Sequence, residues 1–592
     1  MKLHLKYRRL ISIIAMLAIS SYTLFAMQQR VFTTCDEIYH RVSALCQQAG
    51  VIGPSSFSPM PARALAIALE RIDYSSLDSA QREEYDEIQN AIYGEDMLFV
   101  DGYFMLDAGA EINLGINIAD YDDFRYGHEG ETSPGFDRRE DTLIPYRYEK
   151  ALLSVSLGMS FGDHIWLEGL FDIKNPNQMM YESTLGLLFT WQDTKIYGIA
   201  AELPYRAGAS VGNDYINFII GRFPHSAGSG ITGNMLIGDN FVYQEISNLS
   251  LMSNHFTYNI SVTRFDQQTE IGTGSNLTKM SQSEFDGMQQ FRVMHRFDVT
   301  LFDSFRLAIN LATIYNSTYG FDIRFFYPFV LSHNYYNYEG GLDKTDHDEA
   351  NNIMSLEFEW TVAPNWLWTG QLVIDQFQLP WEDSTSLPAA WGALTNVRYS
   401  KSLPSGRLDS WFEAVYTNPY LYLNGKRVSP AEGKGFIDYN LDYMVGYFMS
   451  YMSDPNYSGY IYGPDSIVLS IGSTYTDAEN RFEIGGNILY RIKGQKGIKI
   501  LVRYSHETII DMSDAYIDSD FGSNKWAPSG GLKKAEHLIK LSCQGKYNFD
   551  YGNWGILSIY AALGGNIFMN YQHNVGKTEF QPQMTVGVSW SV

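Results

Sequence analysis

Apolar and polar residues alternate one by one along most of this chain, and its final stretch shows the pattern most cleanly. Phe580, Pro582, Met584, Val586, Val588, Trp590 and Val592 fall on one face of an extended strand. Gln581, Gln583, Thr585, Gly587, Ser589 and Ser591 fall on the other. A period of two marks a strand with one apolar and one polar face. An open strand edge is not tolerated in hydrocarbon, so this stretch is expected to pair with the first strand and close a barrel. The alternation recurs upstream. Leu153, Val155, Leu157, Met159 and Phe161 alternate with Ser154, Ser156, Gly158 and Ser160. After Gly162-Asp163, Ile165 to Lys174 repeats the rhythm. Short turns of this kind, Pro364-Asn365 among them, contrast with long polar stretches such as Ala119 to Tyr146 and Tyr336 to Asn352. Short turns at one end and long loops at the other are the habit of outer-membrane barrels. Residues 96–592 are therefore predicted to form an all-β, transmembrane antiparallel β-barrel of about 18 strands.

Ahead of the barrel the period changes. Residues 1–26 carry Lys2, Lys6, Arg8 and Arg9 before the apolar run Leu10 to Ile19, the layout of a secretory signal peptide. Residues 27–95 then read as a small periplasmic helical module. Ile38, Val42, Leu45 and Cys46 recur at helical spacing up to Gly50. Pro61 opens a second helix, and a third spans about Ser79 to Tyr93. Such a module either caps the barrel base or docks a partner.

Composition narrows the class. The net charge of -24 argues against nucleic acid as a partner. The 42 Tyr and 34 Phe suit aromatic girdles at two membrane interfaces. Of the three cysteines, Cys35 and Cys46 would lie ~16 Å apart along a continuous helix, too far to bridge. Neither a disulfide framework nor a metal site follows, and no cofactor is expected. No nucleophile signature appears, so enzymatic activity is not expected.

With the apolar face toward lipid, the opposite face can be read as lumen. Glu357, Glu359, Gln371, Asp375, Arg398, Asp409, Glu413, Glu483, Asn487, Arg491 and Lys493 would point inward, as would Asp322, Arg324 and Arg503. Charges of both signs either line a path for a polar solute, as in a porin, or pair across the interior and fill it. Trp366 and Trp368, just past a short turn, read as interface anchors. Gly228-Ser229-Gly230-Ile231-Thr232-Gly233 fits GxGxxG, but no amphipathic helix follows, so a nucleotide fold is not expected. Asp343, Asp346, Asp348 and Glu349 lack the Gly and distal Glu of a calcium loop.

Several blocks, taken in order, resemble the Wzi family of capsule-assembly outer-membrane proteins. They are Gly221-Arg222 through Gly228, Gly230 and Gly233-Asn234 to Asp239-Asn240; Arg324-Phe325 with Pro328 to His333, then Asn352; Gly370 to Phe377; Glu413 to Tyr422; and Gly463 to Ser466. The helices and the turn Ala49 to Pro54 also fit. The family's Trp ahead of the glycines is absent, with Ser226-Ala227 in that region. The resemblance implies an eighteen-stranded barrel with a periplasmic helical bundle. It further implies an outer-membrane lectin that holds capsular polysaccharide at the cell surface. The expected partners are surface polysaccharide and outer-membrane lipid, the oligomeric state is left open, and a monomer is favoured. The candidate glycan-binding residues are Gly228, Gly230, Gly233, Asn234, Asp239, Asn240, Arg324, His333, Tyr335, Tyr336, Gln371, Asp375, Glu413, Asn418, Tyr420 and Asp465. A channel for polar solutes and a surface adhesin are the alternatives.

Overall fold

The computed structural model describes residues 28–93, 99–101, 104–119, 143, 150–173, 185–187, 191–192, 195–196, 206–241, 243–265, 289–317, 320–327, 350–376, 389–427, 437–442, 444–449, 452–494 and 526–592. Eighteen of its strands form one closed antiparallel barrel. In chain order they are β1 (Phe104–Ala119), β2 (Leu153–Phe161), β3 (Ile165–Ile173), β4 (Arg206–Gly212), β5 (Ile216–Phe223) and β6 (Gln244–Met252). Next come β7 (Phe256–Phe265), β8 (Gln289–Phe302), β9 (Phe305–Ser317), β10 (Ala350–Ala363), β11 (Trp366–Gln376) and β12 (Ala390–Leu403). The wall ends with β13 (Gly406–Thr417), β14 (Ser466–Asp477), β15 (Phe482–Lys493), β16 (Glu536–Asp550), β17 (Ile556–Met569) and β18 (Thr578–Ser591). The final strand closes the wall as its pattern predicts, with Ser591 opposite Glu111 and Gln583 opposite Ala119 on β1.

The period of two is spent as expected. Along β18 the apolar positions lie on the outer surface and Gln581, Gln583, Thr585 and Ser589 are buried inward. Register carries that face around the wall: Phe412 opposes Ile471, which opposes Ile488, which opposes Leu541. All four are exposed, as are Ile112, Leu114, Leu356 and Val586. A continuous apolar belt of this extent is stable only against lipid. Near the short turns Trp366 lies 4.8 Å from Tyr399, its ring tilted, and Trp368 lies 6.1 Å from Trp360, marking one interface. No helix among the described residues is long and apolar enough to cross a membrane.

The helical module is three helices: α1 (Glu37–Ala49), α2 (Ala62–Leu69) and α3 (Ser79–Tyr93). Val42, Leu45 and Cys46 of α1 meet Leu65, Ala68 and Leu69 of α2 and Ile88 and Ile92 of α3 in one apolar core. Gly50 stops α1 in a left-handed conformation (φ 80°) and returns its N–H to Gln47 O. The module seats on the short-turn end of the barrel. The Gln47 side chain donates to Asn365 O (2.6 Å), Ile52 N to Asp303 O (2.7 Å) and Arg71 to Asn254 O (2.7 Å). None of the three cysteines is in a disulfide.

Candidate functional site

Among the described residues three chain segments enter the lumen and pack together there. The first, residues 54–61, leaves the helical module, and its Phe57–Ser58 pairs antiparallel with Ser226–Ala227. The second is the connection between β5 and β6, which carries the glycine-rich run. The third is the connection between β13 and β14, of which 418–422 and 458–465 pack over the second. Met235, Leu236 and Ile237 meet Leu421, Tyr422, Tyr460 and Ile461, and all are buried against inward wall residues Met294, Ile314, Ile353, Val373, Leu394, Val415 and Val468. The barrel interior at this level is an apolar core. An alternating strand that spends its apolar face on lipid still places some apolar residues inward here, because the plug supplies them with partners.

The glycine-rich loop is built around a carboxylate. Glu413 projects from β13 and is fully buried. Its oxygens accept from Ile231 N (2.6 Å), Thr232 N (2.8 Å), Thr232 Oγ1 (2.6 Å) and Asn396 Nδ2 (3.2 Å). Successive N–H groups turned toward one point form an anion-binding nest, and here the barrel's own side chain occupies it. The glycines make the turn: Gly228 has φ 125°, and a Cβ at Gly230 would lie 2.1 Å from Gly233 O. Asn234 Oδ1 accepts from Gly230 N (2.8 Å), and Gln371 Oε1 accepts from Met235 N (2.7 Å). Gln371 Nε2 reaches Glu357 Oε1 at 2.7 Å, and Arg398 donates to Ser229 O. Over the loop, Tyr422 OH donates to Met235 O, Thr232 Oγ1 lies 2.9 Å from Tyr460 OH, and Asn240 Nδ2 donates to Gly459 O (2.6 Å).

Among the described residues several of the inward charges pair. Arg296 bonds Asp298 (2.8 Å) and Glu357 (2.7 Å), Arg306 bonds Glu359 (2.8 Å), and Arg491 bonds Glu536 (3.1 Å). All of these residues are buried. Arg306 also donates to Pro54 O (2.8 Å), tying the entering segment to the wall. Of the two readings of a two-signed lumen, filling by paired charges describes this layer.

The structure thus brings together Gly228, Gly230, Gly233, Asn234, Asn240, Gln371 and Glu413 of the candidate set. Asn418 and Tyr420 begin the third segment, where Asn418 Oδ1 accepts from Tyr420 N (2.9 Å), and Asp465 ends it, accepting from Ser529 N (2.8 Å). Asp239 lies half-buried in the second segment, and Asp375 lies half-buried on β11. Arg324 and Asp322 are a correction. They do not line the lumen: Arg324 lies in a one-turn 3-10 helix, Ile323–Phe326, which Asp322 caps, and the two pair at 2.6 Å. That turn packs Phe325 on Phe291, Val293 and Tyr315, whose register places them on the outer wall. The sequence did not separate them, since a single turn spans too few residues to show a period. His333, Tyr335, Tyr336, Arg503 and the acidic run Asp343 to Glu349 lie outside the described residues. Sequence reading did not find Asn396, Tyr460 or Arg296, whose roles appear only when the plug is folded against the wall. Among the described residues no group of three or more His, Cys, Asp or Glu could hold a metal ion.

A closed antiparallel barrel with an outward apolar belt, a helical module on its short-turn end and a lumenal plug is a protein of the bacterial outer membrane. Its fold is Wzi-like. It is similar over 94% of this chain and 98% of the other to Wzi of Escherichia coli, described as an outer membrane protein involved in group 1 capsule assembly and a carbohydrate-binding β-barrel. The TM-score is 0.53 and the identity 12%. OccK3 of Pseudomonas aeruginosa aligns over 82% of this chain and 95% of its own, with TM-score 0.38 and 7% identity. The outer membrane channel DcaP of Acinetobacter baumannii aligns over 84% and 99%, with TM-score 0.31 and 10% identity. No family model matches the sequence, and no curated protein matches it either.

Proposed function

We propose that this protein is a non-conducting barrel that binds surface polysaccharide, capsular polysaccharide included, at its outer end and anchors it to the outer membrane. The observation that carries the reading is the plug. The donors of the glycine-rich loop are spent on Glu413, Asn234 and Gln371, and the wall charges around it are spent on each other. A permeation path needs polar groups that a passing solute can use, and this layer holds its polar groups in internal bonds. The Wzi-like fold supports the same reading. Gly228, Gly230, Gly233, Asn234, Gln371 and Glu413 then shape the plug, and contact with sugar rings falls to the aromatic loop residues Tyr335, Tyr336 and Tyr338 together with His333. Neither a cofactor nor a catalytic step is part of the proposal.

The test pairs two measurements on the purified chain. In a planar lipid bilayer the protein is expected to be electrically silent. In a pull-down it is expected to retain the cell's own surface polysaccharide and to lose it when Tyr335, Tyr336 and Tyr338 are replaced by Ala. Steady ohmic current would replace this reading with that of a channel for polar solutes.

A further inference from the structure

Two stretches beyond the strand ends fold back over the outside of the wall, and each is fastened by the same device. In the first, Tyr258 OH lies 2.8 Å from His295 Nδ1, and His295 Nε2 lies 2.7 Å from Phe325 O. In the second, Tyr490 OH lies 2.8 Å from His537 Nδ1, and His537 Nε2 lies 3.0 Å from Leu532 O. A carbonyl can only accept, so each Nε2–H donates and each Nδ1 accepts the tyrosine hydroxyl. Register puts all four rings on the lipid-facing side: Tyr258 pairs with Phe297, and Tyr490 with Ile539.

The second stretch, residues 526–535, is the better built. Four successive carbonyls are held, one by β16 and three by the connection between β17 and β18. Leu532 O accepts from His537, Lys533 O from Asn570 (3.1 Å), Lys534 O from His573 (3.1 Å) and Ala535 O from Asn570 (2.9 Å). Asp465 holds the other end through Ser529 N, and Trp526 lies edge-on to Trp391 at 6.0 Å, with Ala527 N bonded to Tyr416 OH. With the backbone so held, Lys533 and Lys534 stand exposed, and neither forms an ion pair with a described residue. Leu532, next to them in the chain, is 59% exposed, and Trp526, at the far end of the stretch, is 66% exposed. On the first stretch Arg324 is matched by Asp322, so it presents no surplus charge.

We propose that residues 526–535 bind a phosphate-bearing lipid of the outer leaflet. Lys533 and Lys534 take the phosphates, and Trp526 and Leu532 enter the boundary between headgroup and acyl chain. Charge complementarity selects this occupant. A chain of net charge -24 repels anionic headgroups overall, and here two adjacent lysines sit at the rim of the apolar belt, where aromatic and basic side chains grip an interface. The proposal stands apart from polysaccharide binding.

The test uses the full chain in neutral detergent, incubated with bis-phosphorylated lipid A or with its dephosphorylated counterpart, and counts retained lipid by native mass spectrometry. The phosphorylated form is expected to be retained about tenfold more. A K533Q/K534Q variant should lose that preference while keeping its barrel circular dichroism and heat-modifiable gel mobility. Equal retention of both lipids by the native chain, or an unchanged preference in K533Q/K534Q, would overturn the proposal. A W526S variant that holds both lipids as well as the native chain does would overturn the acyl-boundary half of it.

Discussion

Removing the Glu413 carboxylate tests the plug directly. In E413A the N–H groups of Ile231 and Thr232 lose their acceptor inside the barrel, as do Thr232 Oγ1 and Asn396 Nδ2. A buried donor left unpaired costs about 1–3 kcal/mol, so the two amides alone cost about 2–6 kcal/mol. Since each 1.4 kcal/mol is tenfold, the population in which the loop has left the wall should rise at least about thirty-fold. Amide hydrogen exchange followed by mass spectrometry reads this locally. Peptides covering 228–238 should exchange about thirty-fold faster or more in E413A, whereas those covering β17 should not change. E413Q keeps one carbonyl oxygen in place and should fall between the two. In a bilayer, E413A should show brief current steps that the native chain lacks. Unchanged exchange over 228–238 in E413A would refute the claim that this carboxylate holds the loop.

Three further outcomes follow from the same geometry. G228A should loosen the loop in the same exchange experiment, because φ is 125° and the added Cβ would lie 2.6 Å from Asn234 Oδ1 and 2.8 Å from Gln371 Nε2. R296A leaves Asp298 and Glu357 buried without a cation and should cost about 3–5 kcal/mol, read as a lower temperature for loss of the compact band on gels. A triple replacement by apolar residues of similar volume should recover only part of that loss, because Gln371 Nε2 and Asn310 Nδ2 then lose Glu357 as their acceptor. Burial pushes the Cys46 thiol up to about 12 from an ordinary 9.0, so in the seated module it should resist maleimide at pH 8. Below pH 9 that thiol is neutral in both folded and unfolded module and adds no pH dependence. Between there and about 12 only the unfolded form ionises, so the module should lose stability as pH rises and C46A should lose less.

How much of this was legible in the sequence depended on whether a feature repeats. The wall was legible because lipid imposes one rule at every second residue: Phe412, Ile471 and Ile488 each sit where period two puts them, and register makes them neighbours. Helix α1 was legible from a 3.6 period and a Gly stop, and the bounds of α3 were read at Ser79 and Tyr93. The plug has no period. Gly228 to Gly233 announced a tight turn but not its contents, because the partner, Glu413, lies about 180 residues away and is chosen by the fold. Counting inward charges had the same limit. Arg296 and Glu357 are 61 positions apart, and only strand order brings them within 2.7 Å. Arg324 was misplaced for the converse reason, since a five-residue sample of alternation could not distinguish a strand from a single turn lying on the outer wall. A lumen can therefore look charged in sequence and still hold a packed plug. What decides between a pore and a plug is whether each inward charge and each loop amide has a partner inside, and in this barrel Glu413 answers for the loop while Arg296 and Arg306 answer for the acids around it.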